Sequence, residues 1–247
     1  MFSRLHTPTM AVGILVALFV SVASACAAEP SAPPTPTPTP TPNPNVVRLT
    51  PSQDATLFEH HVGGLASSTG ANNFVGMTNR NVRRRMLIAF DLTSLPANRE
   101  IVAATLEMRM SKSASGAFDV SLHRVTTAWA EGTSAASGMG GKGTASVPGD
   151  PTWIHSAYPN TLWTTDGGDY AAEPSATTSV DNFVRYSWTG PGLVDDIRAW
   201  ASGATPNLGW LAIGDETHQK TAKRFDSREH SNVDHRPTLV IELAPLP

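Results

Sequence analysis

Residues 100–111 read EIVAATLEMRMS, and Ala104, Leu106, Met108 and Met110 alternate with Thr105, Glu107 and Arg109. Successive side chains of a strand point to opposite faces, so a period of two specifies a strand with one buried and one wet face. Runs of strand character recur at 45–50, 54–59, 72–77, 84–92, 117–125, 183–188, 208–216, 222–229 and 238–243, with Gly, Pro, Asn and Asp in the gaps. Short strands punctuated in this way predict an all-β fold, an antiparallel β-sandwich. One helix is expected, in GPGLVDDIRAWASG (190–203), where Leu193, Val194, Ile197, Trp200 and Ala201 fall at helical spacing. Pro191 stands near its start and Gly203 past its end, and it is expected to pack across one end of the sandwich.

The section from Thr127 to Ser179 breaks the pattern. It is a long loop insertion rich in Gly, Ser, Thr and Ala, and it carries Trp129, Trp153, Trp163, Tyr158 and Tyr170. Long insertions in compact domains are usually functional or locally packed. Its aromatics can stack on sugar rings, or they can pin the loop to the body of the domain. Pinning is the favoured reading for most of them, while Trp129, Trp153, Trp163 and Tyr170 remain candidate ligand contacts.

Only part of the chain belongs to this fold. Residues 1–27 have Arg4 ahead of an apolar stretch from Ala11 to Ala25 and then small residues, the layout of an export signal. Cys26, the only cysteine, lies in VASAC, which resembles a lipobox and makes Cys26 a candidate lipidation site; cleavage by an ordinary signal peptidase is the alternative. One cysteine excludes an internal disulfide, so the fold needs its own apolar core. Residues 28–45 form a Pro/Thr-rich linker. Its alternation from 30 to 45 favours polyproline II at about 3.1 Å per residue, a spacer on the order of 50 Å. The expected organisation is signal (1–27), linker (28–45) and one β-sandwich domain (46–247). It implies an extracellular protein tethered to the outer face of a bacterial membrane, with the membrane engaged only through the lipid.

Charge and motifs narrow the chemistry. The net charge is −3 and basic residues form no stripe, which argues against nucleic acid. The sequence contains no G-x-S-x-G, no H-E-x-x-H, no phosphate-binding loop and no dinucleotide fingerprint. The carboxylate pairs Asp195–Asp196 and Asp215–Glu216 are adjacent residues that point apart, so neither is a matched acid and base. His60, His61, His218, His230 and His235 match no transition-metal spacing. A structural Ca2+ is more plausible, because Asp54, Asp91, Asp150, Asp166, Asp169 and Asp215 stand in turn contexts where hard oxygen ligands converge. Asp54, Asp166 and Asp169 are the candidate ligands, and turn capping is the competing role. Tyr158, His155 and Arg185 offer the one conceivable lyase set, which nothing in their spacing requires.

RRRMLIAFDLTSLPANREIVAATLEMRM (83–110), VSLHRVTTAWAEGT (120–133), GDPTWIH (149–155), WTTDGGDY (163–170) and TAKRFDSREHSNVDHRPTLVIEL (221–243) together resemble the DNRLRE domain, over essentially all of residues 46–243. The matching positions are Arg85, Leu87, Phe90 and Asp91, then Phe225, Ser227, Arg228, Glu229, Arg236 and Pro237. The resemblance implies a jelly roll similar to carbohydrate-binding modules, among them modules for acidic or neutral polysaccharides. It implies a non-catalytic surface module whose partner is a polysaccharide or cell-surface glycan. A structural or adhesive protein without glycan specificity is the alternative, and a polysaccharide lyase or hydrolase a remoter one. Within 223–229, alternation predicts Phe225, Ser227 and Glu229 pointing inward, with Arg85 or Arg236 as partner for Glu229. Arg224 and Arg228 then line the other face as candidate ligand contacts.

Overall fold

The computed structural model describes Asn43 and residues 45–246. The export signal, Cys26 and all of the linker except Asn43 and Asn45 lie outside the described residues. Among those described, no helix is long and apolar enough to cross a membrane.

Among the described residues the fold has fifteen strands, one α-helix and a short 3-10 turn at Val233–His235: β1 (Val46–Leu49), β2 (Gln53–Phe58), β3 (Leu65–Ser67), β4 (Asn72–Met77), β5 (Arg83–Ala89), β6 (Arg99–Ser113), β7 (Phe118–Arg124), β8 (Thr144–Ala145), β9 (His155–Ala157), β10 (Thr161–Leu162), β11 (Ala176–Val180), β12 (Arg185–Thr189), α1 (Pro191–Ala201), β13 (Trp210–Ile213), β14 (Lys223–Asp226) and β15 (Thr238–Pro245). All pairings are antiparallel. The result is the expected all-β sandwich. One layer is built on the long β6, flanked by β15 and β12, with β1 beyond β15. The other runs β11–β7–β13–β5, with β2 and β4 beside β5. β14 joins them, pairing with β6 on one side and β4 on the other. The charged strand before the last core strand is therefore the seam between the two layers.

The main core lies between the layers. Leu106, Met108 and Met110 of β6, Trp188 of β12, Phe225 of β14 and Leu239 of β15 meet Met86, Ile88, Leu122 and Trp210 of the other layer. α1 adds Leu193, Ile197 and Trp200, with the Trp200 and Trp210 rings 4.7 Å apart. The Trp210 indole donates to Asp196 Oδ2 at 2.8 Å, so this carboxylate of the Asp195–Asp196 pair anchors the helix.

A second cluster covers the outer face of the β5–β13 layer. Leu57, Leu87 and Leu211 point away from the main core and are covered by Trp153 and Trp163 of the insertion. A layer buried on both faces explains why 86–90 and 210–213 read as continuous apolar runs instead of alternating.

Candidate functional site

Three successive arginines open β5, and a strand sends neighbours to opposite faces. Arg83 donates to Glu59 Oε1 at 3.0 Å from Nε and 2.6 Å from Nη2. Arg85 binds Glu216 through two bonds of 2.8 Å, and its Nη1 donates to the Gly167 carbonyl at 2.9 Å. Arg84 between them forms no ion pair. Its guanidinium lies 4.7 Å from the Phe58 ring centre, donates to the Arg83 carbonyl, and leaves a buried Nε without an acceptor. Burial lowers its pKa to about 10, with Glu59 opposing, so it stays charged at neutral pH.

Arg84 lines a cleft of about 480 Å3 on the face of the sheet that crosses the seam. The floor follows from strand register. Arg224 of β14 is the direct partner of Phe74 on β4 and of Lys112 on β6. Lys112, Arg224 and Phe74 thus stand in one row across three neighbouring strands. Lys220 joins from the loop before β14, held in the left-handed region at φ 65°, a conformation uncommon outside Gly, Asn and Asp. The insertion contributes Met139, whose sulfur accepts from Arg224 Nη1 at 3.2 Å. Arg224 Nε donates to Ser111 Oγ at 2.9 Å, and burial lowers the guanidinium's pKa, with Arg109 acting in the same direction against Asp226. The cleft holds four cationic side chains, a half-buried phenyl ring and no carboxylate. Like charges directly opposite each other on a sheet are destabilising, so the Lys112–Arg224 pair costs stability wherever no anion lies between them.

A second polar cluster gathers around Arg228. Its Nε and Nη2 donate to Glu131 at 2.7 and 2.5 Å, its Nε is 2.8 Å from Glu229 Oε1, and its backbone N–H donates to Asp54 Oδ2 at 2.8 Å. Asp54 is fully buried, and its backbone N–H donates to Glu131 Oε1 at 2.8 Å. Burial, with the Glu229 carboxylate beside it, pushes the Asp54 carboxyl up to about 8. A third cluster places His235 Nδ1 at 3.5 Å and His230 Nε2 at 3.8 Å from the buried Asp226, which also accepts from Arg109 at 2.9 Å.

Several sequence expectations are corrected here. Trp153 and Trp163 are buried, and the Trp163 indole donates to the Thr152 carbonyl. Trp129 and Tyr170 are half-buried against the same cluster, with the Trp129 indole bonded to the Leu208 carbonyl. Trp153 and Trp163 are spent on covering Leu57, Leu87 and Leu211 and present no ring for a sugar, while Trp129 and Tyr170 pack against the same cluster with part of each ring still exposed. Arg228 is spent on Glu131 and Glu229 and does not line the cleft. Glu229 pairs with Arg228, not with Arg85 or Arg236; Arg85 belongs to Glu216, and Arg236 Nε donates to the His230 carbonyl. β14 ends at Asp226 and a turn follows, so alternation stops and residues 228 and 229 reach the same place.

Among the aspartates, Asp169 accepts from the backbones of Thr164 and Thr165, Asp150 from those of Thr133, Ser134 and Val147, and Asp215 from those of Thr217 and His218. They cap turns. Asp166 is exposed, and neither it nor Asp169 belongs to a group of potential metal ligands, whereas Asp54 does. His155 and Tyr158 meet edge to face at 5.1 Å. Arg185 donates instead to the carbonyls of Asp234 and Arg236, sharing no hydrogen bond or ring contact with that pair, so the lyase set is not assembled.

Sequence reasoning found Arg224 and missed Phe74, Arg84, Lys112 and Lys220. The run of three arginines was the available signal, because two acids within reach of one strand face leave the middle arginine without a partner. No family model matches the chain, and no curated protein matches it.

Proposed function

We propose that the domain is a non-catalytic carbohydrate-binding module that recognises an anionic polysaccharide in the cleft formed by Phe74, Arg84, Lys112, Lys220 and Arg224. What carries the reading is the cleft's composition: four cations and an aromatic ring, with no carboxylate among its lining residues. Uronate or sulfate groups along a polymer would meet the guanidinium of Arg224, which can pair two of their oxygens at once, and the ammonium groups of Lys112 and Lys220. Phe74 would lie under a sugar ring, in the place sequence reasoning gave to the tryptophans. The resemblance to DNRLRE domains and to carbohydrate-binding jelly rolls supports the same reading, as do an export signal and a spacer ahead of the domain. With Cys26 lipidated, the module would sit on the outer face of a bacterial membrane, and many copies on one surface would make weak single sites effective together.

Affinity electrophoresis against polyuronate, sulfated and neutral polysaccharides tests the proposal. Retardation by an acidic polymer, weakening as salt rises, is expected. Retardation by neutral polymers alone would replace the cationic cleft as the site. No retardation by any polymer would leave a structural or adhesive surface protein as the better description.

A further inference from the structure

The cluster around Arg228 has an unbalanced charge and two unsatisfied atoms. Asp54, Glu131 and Glu229 bring three carboxylates, and Arg228 is the one cation bonded to them. With all three ionised, two negative charges remain in a place where Asp54 has no exposure to solvent. Arg228 donates once to each oxygen of Glu131 and reaches Oε1 of Glu229, and Glu131 Oε2, which takes no second donor, keeps a lone pair free. Asp54 Oδ1 and Glu229 Oε2 are both buried and have no hydrogen-bond partner. Unpaired buried carboxylate oxygens are expensive, so a site of this kind is completed by something positive.

We infer that Asp54, Glu131 and Glu229 form a binding site for one hard divalent cation, Ca2+ by the number of carboxylates that converge on it. One oxygen from each residue lies within 4.8 Å of the others. Ca2+ takes about six to eight oxygens in flexible geometry and accepts a set of three carboxylates, whereas Mg2+ keeps several waters and is usually held by one or two carboxylates. The ligands are oxygen only, which disfavours softer transition metals. A divalent ion balances the fully ionised cluster and takes the place of the proton that Asp54 otherwise holds at neutral pH.

The three carboxylates come from different parts of the chain. Asp54 belongs to β2, Glu131 to the insertion, and Glu229 to the turn after the seam strand β14. Their side chains are held by Arg228 and by backbone N–H groups before any ion arrives, so little ordering remains for binding to impose. The bound ion would fasten the insertion and the seam to the second layer. This inference stands apart from the polysaccharide reading: the cluster is built from residues that do not line the cationic cleft.

The test uses the purified protein stripped with EDTA. Isothermal titration with CaCl2 is expected to give one site, and 5 mM CaCl2 is expected to raise the melting temperature by about 3 °C or more over 1 mM EDTA. Glu229→Gln, which keeps the shape and removes the charge, is expected to weaken Ca2+ binding at least tenfold, and Asp54→Asn to do the same. Asp166→Asn, outside the cluster, is expected to keep both the site and the shift. A wild-type protein that takes up no Ca2+ and melts at the same temperature in CaCl2 and EDTA overturns the site, whatever the variants do. Equal stabilisation by Mg2+ overturns the assignment to Ca2+.

Discussion

Arg224 lies directly opposite Phe74 in the β4–β14 ladder, so the cation and the ring that define the cleft are fixed by register and not by loop conformation. A site on paired strands is held more rigidly than one on loops. Arg224→Ala should reduce affinity for an acidic polysaccharide about tenfold or more, since hydrogen bonds to charged groups contribute roughly 1.5–3 kcal/mol. Phe74→Ala should also weaken binding, but without changing its salt dependence, because it removes a ring and no charge. Affinity electrophoresis at two ionic strengths separates the two effects. Identical salt slopes for wild type and Arg224→Ala would remove Arg224 from the site.

Trp153 and Trp163 are expected to matter for stability and not for binding. Each covers apolar side chains on the outer face of the β5–β13 layer, and truncating a buried tryptophan costs about 3–5 kcal/mol. Urea denaturation of Trp163→Ala should show a loss of that order. At temperatures where the variant remains folded, its retardation by polysaccharide should match the wild type. Lost binding with unchanged stability would return these aromatics to the ligand site.

The strand order of the sandwich was largely hidden in the sequence, while its main strands and its helix were legible. Alternation at 100–111 marks β6 because one face of that strand is wet, and the apolar spacing of 193–201 marks α1. β3, β8, β9, β10 and β11 were not visible as strands, since pieces of two to five residues rich in Ser, Thr and Ala carry too little periodicity to stand out. The seam role of β14 was also beyond reach. Residues 223–226 show that a strand is charged, but only its pairing with β4 and β6 shows why. Lys223 makes the point: alternation places it on the same side as Phe225, but only the structure shows what receives it there, with 1% exposure and an ammonium that donates to Ser113 Oγ at 2.8 Å and to the Gly116 carbonyl.

Arg85 and Glu216 form a nearly buried bidentate ion pair, with the guanidinium 4.9 Å from the Trp153 ring centre. Removing one member leaves the other charge uncompensated out of water. Glu216→Ala should therefore destabilise the domain by about 3–5 kcal/mol. Because the pair also holds the Gly167 carbonyl, the insertion should loosen before the sandwich does. Faster proteolysis within 150–170, ahead of global unfolding, is the measurement that checks this; uniform protection of the insertion in the variant would contradict it.

Asp169 ties stability to pH. Burial alone would raise its pKa, but bonds from the Thr164 backbone, the Thr127 hydroxyl and the Thr165 backbone outweigh it and hold the carboxyl below its ordinary 3.8. A folded pKa below the unfolded value means that the unfolded chain takes up the proton more readily in acid. The contribution is therefore fully present above about pH 4 and is lost as pH falls through the folded pKa. Asp169→Asn should lower the melting temperature at pH 7 and lower it progressively less as pH falls below about 4, where protonation of the unfolded wild-type chain erodes the contribution. Melting curves of both proteins between pH 2.5 and 7 test this, and a difference that stays constant across the range would mean that the charge of Asp169 plays no part in holding the 164–170 turn.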